Sequence, residues 1–260
     1  MTTQLLIYKT AVLVSQSRHG DRFVESGTDF SFSKNVNSVP LTAVEFPLAA
    51  AEYPIVFAGS GDDVSPAVIL GVQENQNLYL TAENKWDAKY IPAFIRRYPF
   101  VFSQSGDQFM LCIDEEFPGL NANGAGVPLF KADGSPSFYV ENVLKFLQDY
   151  QLQFNRTKQF CANLVALDLL EPMQADVKLE QGQQFSLRGF MVVNKAKLKA
   201  LSGEQLAALA ATDELELIYL HLQSMRNFNV LKDALVKQSA NNAAADAAEA
   251  LTPNDPALMN

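Results

Sequence analysis

Four groups of residues carry side chains able to do chemistry. Arg18-His19-Gly20-Asp21 places a histidine two residues from a carboxylate, a spacing at which a turn can hold imidazole and carboxylate as an oriented acid–base pair. The preferred reading is simpler: a turn in which Gly20 supplies a special backbone angle and Asp21 accepts local N–H bonds. Asp114-Glu115-Glu116 closes an apolar stretch with three carboxylates, which could take a divalent cation, act as acid and base, or be a solvated strand end. Trp86, the only tryptophan, stands with Asp87 and Tyr90 just ahead of Arg96-Arg97-Tyr98. Core packing is the default for Trp86, while aromatic and Arg side chains also make binding hot spots. The Arg96-Arg97 pair, with a groove expected beside the Tyr53 and Tyr98 turns, is the candidate for a specific anionic contact. His221 lies in an apolar periodic stretch and reads as a partly buried histidine bonded to a neighbour.

Other chemistries lack their residues. Two histidines and two distant cysteines, Cys112 and Cys161, with no HExxH and no CxxC, offer no metal-ligand spacing. Gly59-Ser60-Gly61-Asp62-Asp63 has no lysine and no following helix, and its carboxylates would repel phosphate, so it reads as a hairpin loop. There is no G-x-S-x-G, and no cofactor is implied. A net charge of −9 with scattered basic residues argues against nucleic acid and anionic lipid as partners. No apolar run has spanning length, so no membrane insertion is expected. The amino end lacks a basic leader region, and the thiols read as reduced and buried; the expected home is the cytoplasm.

The elements that must position these groups are legible in part. Hydrophobic residues make up 48% and charged residues 19% of 260 residues, enough for a sizeable core. Phe46-Pro47 to Phe57 and Ile91-Pro92 to Phe102 share a pattern of Pro, five residues, Tyr-Pro, any residue, Val-Phe. Pro47 and Pro92 suit the first turn of a helix; Pro54 and Pro99 disfavour helical angles at Tyr53 and Tyr98 and so end it. Beyond lie Ile55–Phe57 and Phe100–Phe102, β-branched and aromatic, then second strands at Ala67–Val72 and Phe109–Asp114. The unit predicted is short helix, strand, turn, strand, used twice. Further strands are expected at Leu5–Tyr8, Ala11–Val14, Asp29–Ser33 and Asn77–Thr81, with loop from Glu115 to Pro136.

From Ser137 to Glu171 the chain has no Gly or Pro and keeps helical spacing, with a break expected near Asn155-Arg156-Thr157. Asp176–Val193 reads as a hairpin turning at Glu180-Gln181-Gly182-Gln183. Caps are read at Asn194, at Ser202 with Gln205, and at Asp213 with Glu216 for a helix over Leu215–Phe228. The fold class expected is α+β: a mainly antiparallel twisted sheet built on the helix-strand-strand repeat and covered by carboxy-terminal helices. One domain is expected over residues 1–238, strand-rich to 136 and helix-rich from 137, with a flexible tail over 239–260.

The block Glu45 to Phe100, with Leu111-Cys-Ile-Asp-Glu-Glu116 and the late His221-Leu-Gln-Ser-Met-Arg-Asn-Phe-Asn-Val-Leu231, resembles the SapC-like family of bacterial proteins, over roughly Val39 to Leu231. The resemblance carries a name linked to bacterial surface arrays and a gene context of flavin-dependent halogenase-like proteins and TonB-dependent receptors. It implies an accessory protein in an uptake or protein-modification system, and supplies no catalytic residues. Three roles are weighed. The leading one is a non-catalytic protein engaging a peptide or protein partner through Arg96, Arg97 and the Tyr53, Trp86 and Tyr98 surroundings. The second is an enzyme on a peptide or protein, using His19 and Asp21 or the Asp114–Glu116 acids. The third is a structural surface-layer component.

Overall fold

The computed structural model describes residues 5–106, 108–178 and 184–250. Ala11–Leu13 is the first strand (β1), followed by one helical turn at Gln16–His19 (α1) and the two-residue strand Phe23–Val24 (β2). Leu5–Tyr8 is not a strand but a turn, closed by Tyr8 N–H on the Leu5 carbonyl. Asp29–Ser33 is not a strand either. Ser31–Ser33 is a short 3₁₀ turn, and the Phe alternation serves a ring cluster: Phe32 stacks on Tyr98 at 4.0 Å and Phe30 meets Trp86 edge-on at 5.7 Å.

Both proline-bracketed units form, with helices that stop at Ala49 and Arg96, short of the expected ends at Tyr53 and Tyr98, and with Pro92 as the cap before its helix rather than inside it. Ser38–Pro40 (β3) precedes the turn of helix Phe46–Ala49 (α2), with Pro47 in its first turn; Ile55–Ala58 (β4) and Ser65–Ile69 (β5) follow. The hairpin between them needs Gly59 at φ +102°, since a Cβ there would lie 2.4 Å from the Asp63 carbonyl oxygen. The second unit runs Ala93–Arg96 (α3), Phe100–Ser105 (β6) and Gln108–Asp114 (β7). The Tyr98–Pro99 peptide is cis.

The two units agree in register as well as in sequence. Ile55 faces Val68, Val56 faces Ala67 and Phe57 faces Pro66; forty-five residues on, Phe100 faces Ile113, Val101 faces Cys112 and Phe102 faces Leu111. Ile69 N–H donates to the Pro54 carbonyl at 3.0 Å, and Asp114 N–H to the Pro99 carbonyl at 2.9 Å. Each central strand then pairs antiparallel with an earlier one: β5 with β3, β7 with β1. The Asn77–Thr81 strand is not formed; only an isolated bridge, Leu80 to Trp86, occurs there.

The units lie in different sheets, not in the single sheet expected. The described residues form three antiparallel sheets: β1-β7-β6; the strands Leu170–Lys178 (β10) and Gln184–Val193 (β11) followed by β4-β5-β3; and β2 between Leu120–Asn121 (β8) and Val127–Pro128 (β9). Both β8 and β9, within the expected loop, clasp β2 from either side. One helix, Phe138–Ala166 (α4), capped by the Ser137 hydroxyl on Val140 N–H, spans both cores. Its first half packs Val140 and Leu147 with Phe100, Leu111 and Ile113; its second half packs Phe160, Cys161 and Leu164 with Phe46, Ile55 and Phe57. No break occurs at residues 155–157. Thr157 is buried, donates its hydroxyl to the Gln153 carbonyl and accepts Ala43 N–H, so it satisfies its own polarity inside the helix.

The long hairpin starts earlier than expected, at Leu170–Lys178 (β10), and returns through Gln184–Val193 (β11), which joins β4 at Met191–Phe57. Its expected turn residues fall outside the described ones. Lys195–Ala200 (α5) is capped by Asn194, and Gly203–Ala211 (α6) by the reciprocal Ser202–Gln205 pair. Glu214–Ser224 (α7) starts without the expected Asp213 side-chain cap, because Asp213 takes a left-handed angle, φ 61°. It also ends at Ser224 rather than Phe228. On α7 Ile218 is buried and the adjacent Tyr219 is exposed. Phe228–Ala250 (α8) carries helix through the first half of the expected tail.

Candidate functional site

The acids and histidines proposed for catalysis are mostly occupied. Asp114 is fully buried; one carboxylate oxygen accepts Thr10 and Glu116 N–H, the other Lys9 N–H, which fastens the chain entering β1 beside the end of β7. His19 is 1% exposed on α1, not in an open turn, and Gly20 has an ordinary right-handed φ of −61°. Asp21 does not orient it: Asp21 is exposed and lies 3.6 Å from Arg22. Glu115 stands nearer. Its carboxylate holds Arg18 in a fork at 2.5 and 2.6 Å, which lowers its pKa, and lies 3.3 Å from His19 Nε2 without the alignment of a hydrogen bond. His19 Nδ1 accepts Ser15 N–H at 3.3 Å. Sequence reasoning grouped Glu115 with Asp114, but β7 ends at Asp114 and Glu115 lies in the turn beyond it, where it meets Arg18 instead of the backbone that holds Asp114.

His221 and Ser224, one helical turn apart on α7, look like a nucleophile and its base. They serve the backbone instead. His221 Nδ1–H donates to the Ile55 carbonyl at 2.8 Å and Nε2 accepts Val193 N–H at 3.0 Å, which fixes a neutral tautomer. Burial pushes its pKa down to about 4. The Ser224 hydroxyl accepts Ile55 N–H and donates to the His221 carbonyl. Asn227, one turn further, donates to the Ala50 and Tyr53 carbonyls. Among the described residues no group of three His, Cys, Asp or Glu side chains could hold a metal ion. Burial also pushes the Cys161 thiol up to about 12.

Glu45 is a residue that sequence reasoning passed over. It is 4% exposed, yet one carboxylate oxygen accepts Thr42 N–H and hydroxyl, and the other accepts Tyr90 hydroxyl and Ala93 N–H. A single carboxylate thus fastens the start of the first unit to α3 of the second. Thr42 and Glu45 stand at capping-box spacing just before Phe46-Pro47, the signal that could have disclosed it.

The proposed contact residues separate sharply. Tyr53 is wholly buried; its hydroxyl donates to the Tyr90 carbonyl and accepts Trp86 Nε1–H at 2.8 Å. Trp86 is half-buried against Phe30 and Tyr79, and Tyr98 against Phe32 and Phe117. Arg97 is 4% exposed, its guanidinium 4.2 Å from the Phe94 ring centroid and within 5.6 Å of those of Tyr8 and Tyr150. Arg96 alone of the pair reaches solvent. Its Nε donates to the Ile91 carbonyl at 3.0 Å, and its guanidinium lies over the rings of Tyr90, at 5.9 Å, and Phe146 of α4, at 5.4 Å. The surface that remains is a platform of Tyr90, Arg96 and Phe146.

An α+β architecture of two matching helix-strand-strand units, bridged by one long helix and carrying a solvent-facing Arg–aromatic platform, is the class that fold and site define. The chain belongs to the SapC family, whose sequence profile matches residues 14–231. No curated protein and no solved structure matches the chain at a significant level. Among the described residues no helix is long and apolar enough to cross a membrane.

Proposed function

We propose that the chain is a non-catalytic accessory protein that engages a peptide or protein partner through the Arg96 platform. The observation that carries this is the state of Arg96: exposed, yet tied at Nε and held against two aromatic rings. An arginine fixed in this way loses little side-chain freedom when an acidic group docks on it. On a chain of net charge −9 it is a local positive point for a carboxylate of the partner. Most acids that an enzyme reading would use are committed elsewhere: Asp114 to backbone N–H groups, Glu115 to Arg18, Glu116 to the Thr10 hydroxyl and Asp21 to Arg22, while His19 is buried beside Glu115 and apart from Asp21. A flavin-dependent halogenase-like protein or a TonB-dependent receptor from the same system is the partner to test first, and a cytoplasmic site of action goes with this reading.

Affinity capture from the native host, with partners identified by mass spectrometry, tests the contact. Arg96→Ala should lose the partner that wild type retains, and Arg96→Lys, which keeps charge without the planar fork, should capture it weakly. Undiminished capture by Arg96→Ala removes this platform as the contact.

A further inference from the structure

The pairing pattern shows which backbone groups of each unit point away from its own hairpin. Asp114 N–H on the Pro99 carbonyl makes residues 99 and 114 a hydrogen-bonded pair, so residues 101 and 103 also bond to β7, while Phe100, Phe102 and Gln104 turn N–H and C=O outward. By the same rule Ile55 and Phe57 turn outward in the first unit. There the outward groups are used: Ile55 by Ser224 and His221, Phe57 by Met191 of β11. In the second unit Phe100 is used, its N–H by the Arg97 carbonyl and its carbonyl by the Tyr8 hydroxyl. Beyond it β6 is the last strand of its sheet, and among the described residues no strand pairs with its outer edge.

This edge lacks what usually guards one. Phe100–Ser105 reads Phe-Val-Phe-Ser-Gln-Ser, with no charge, proline or bulge. Ser103 and Gln104 are exposed. Beside the edge a groove of about 200 Å³ is lined by Phe102, Phe109, Leu144, Gln148, Gln151 and Leu152, again without a charged side chain. Phe109 is 46% and Leu152 51% exposed. A chain of net charge −9 thus keeps one strand edge and its groove neutral.

We infer that a second copy of this chain pairs with this edge, β6 against β6, as a two-fold symmetric dimer. Electrostatics selects this occupant. In a two-fold contact every residue meets the same surface patch of its mate, so any charge near the axis faces its own like. A neutral edge on an acidic chain is what self-pairing requires; a foreign acidic or basic strand has no counter-charge here to recognise it. The outward N–H and C=O groups of Phe102 in one copy meet those of Gln104 in the other, and the reverse, with the two Ser103 residues facing each other at the axis. The two three-stranded sheets then run on as one of six, and Phe109, Leu144 and Leu152 lie near the same seam from both copies.

Sedimentation of the full chain over a concentration series reaching about 0.5 mM tests this. Wild type should be a dimer. Gln104→Pro removes an outward N–H without breaking a β6–β7 bond and should raise the dissociation constant roughly tenfold or more. Ser103→Asp and Ser103→Lys should each dissociate comparably, while an equimolar mixture of the two should recover dimer, a rescue that misfolding would not give. A monomeric wild type, or a dimer indifferent to all three substitutions, overturns the proposal.

Discussion

The two proline-bracketed units share a register residue for residue, yet they differ in what closes them. In the first, β4 is covered by β11 and by the polar teeth of α7, and Phe57 is fully buried. In the second, β6 ends its sheet and Phe102, the counterpart of Phe57, is only half-buried. The same local signals thus build the same hairpin twice, and the surroundings decide whether it becomes interior or rim. The difference also reaches the turn before each strand: Glu52, on the surface side of the first turn, corresponds to Arg97, which is folded into an aromatic cage in the second.

Phe57→Ala tests that contrast most strongly. It should cost about 3–5 kcal/mol in urea unfolding, whereas Phe102→Ala should cost roughly 1 kcal/mol because its site already opens toward solvent. Equal losses would mean that the two edges are closed alike. Acid should act next, at the closed edge through His221. His221 is held neutral in the folded protein with its pKa near 4, below the ordinary value of 6.5, so below pH 6.5 the unfolded chain binds a proton that the folded one does not. Stability should therefore fall from pH 6.5 to about 4, by about 3 kcal/mol in all, and His221→Gln should flatten that part of the curve; an unchanged curve would show that His221 is not the titrating group.

Glu45→Gln addresses the contact between the units. It keeps one acceptor but sets an amide N–H₂ against donors, and should cost roughly 1–2 kcal/mol, read as a lowered melting temperature. The smallest effect belongs to Arg96→Ala, expected to change stability by about 0.5 kcal/mol or less, since its interactions lie at the surface. A large loss there would make Arg96 a structural residue and weaken its assignment to partner binding.

Proline punctuation and caps made much of the fold legible. Pro47, Pro54, Pro92 and Pro99 constrain their own residues and immediate neighbours, as do Asn194 and Ser202, so their effects do not wait on tertiary structure. Phe30 and Phe32 misled because alternation is also produced when rings converge on Tyr98 and Trp86 from a 3₁₀ turn. The polar run Asn155-Arg156-Thr157 misled because Thr157 finds partners within α4 and at Ala43. The site was less legible still. Arg96 and Arg97 are adjacent in sequence, but successive helical positions diverge by about 100°, and only packing against Tyr8, Phe94 and Tyr150 decides which one is buried. His221 was read as a bonded helix residue, and one of its partners, Ile55, lies 166 positions away.

That distance has a consequence for synthesis. The segment Ala50–Ile55 leaves the ribosome long before the α7–α8 stretch that holds it through His221, Ser224 and Asn227. Until those late residues emerge, the nascent first hairpin exposes an unlatched strand, so a chaperone that shields extended apolar backbone has a window in which to act. Proteolysis of stalled nascent chains should cut near Ile55 when translation stops short of residue 221 and spare that bond once the whole of α8 is out.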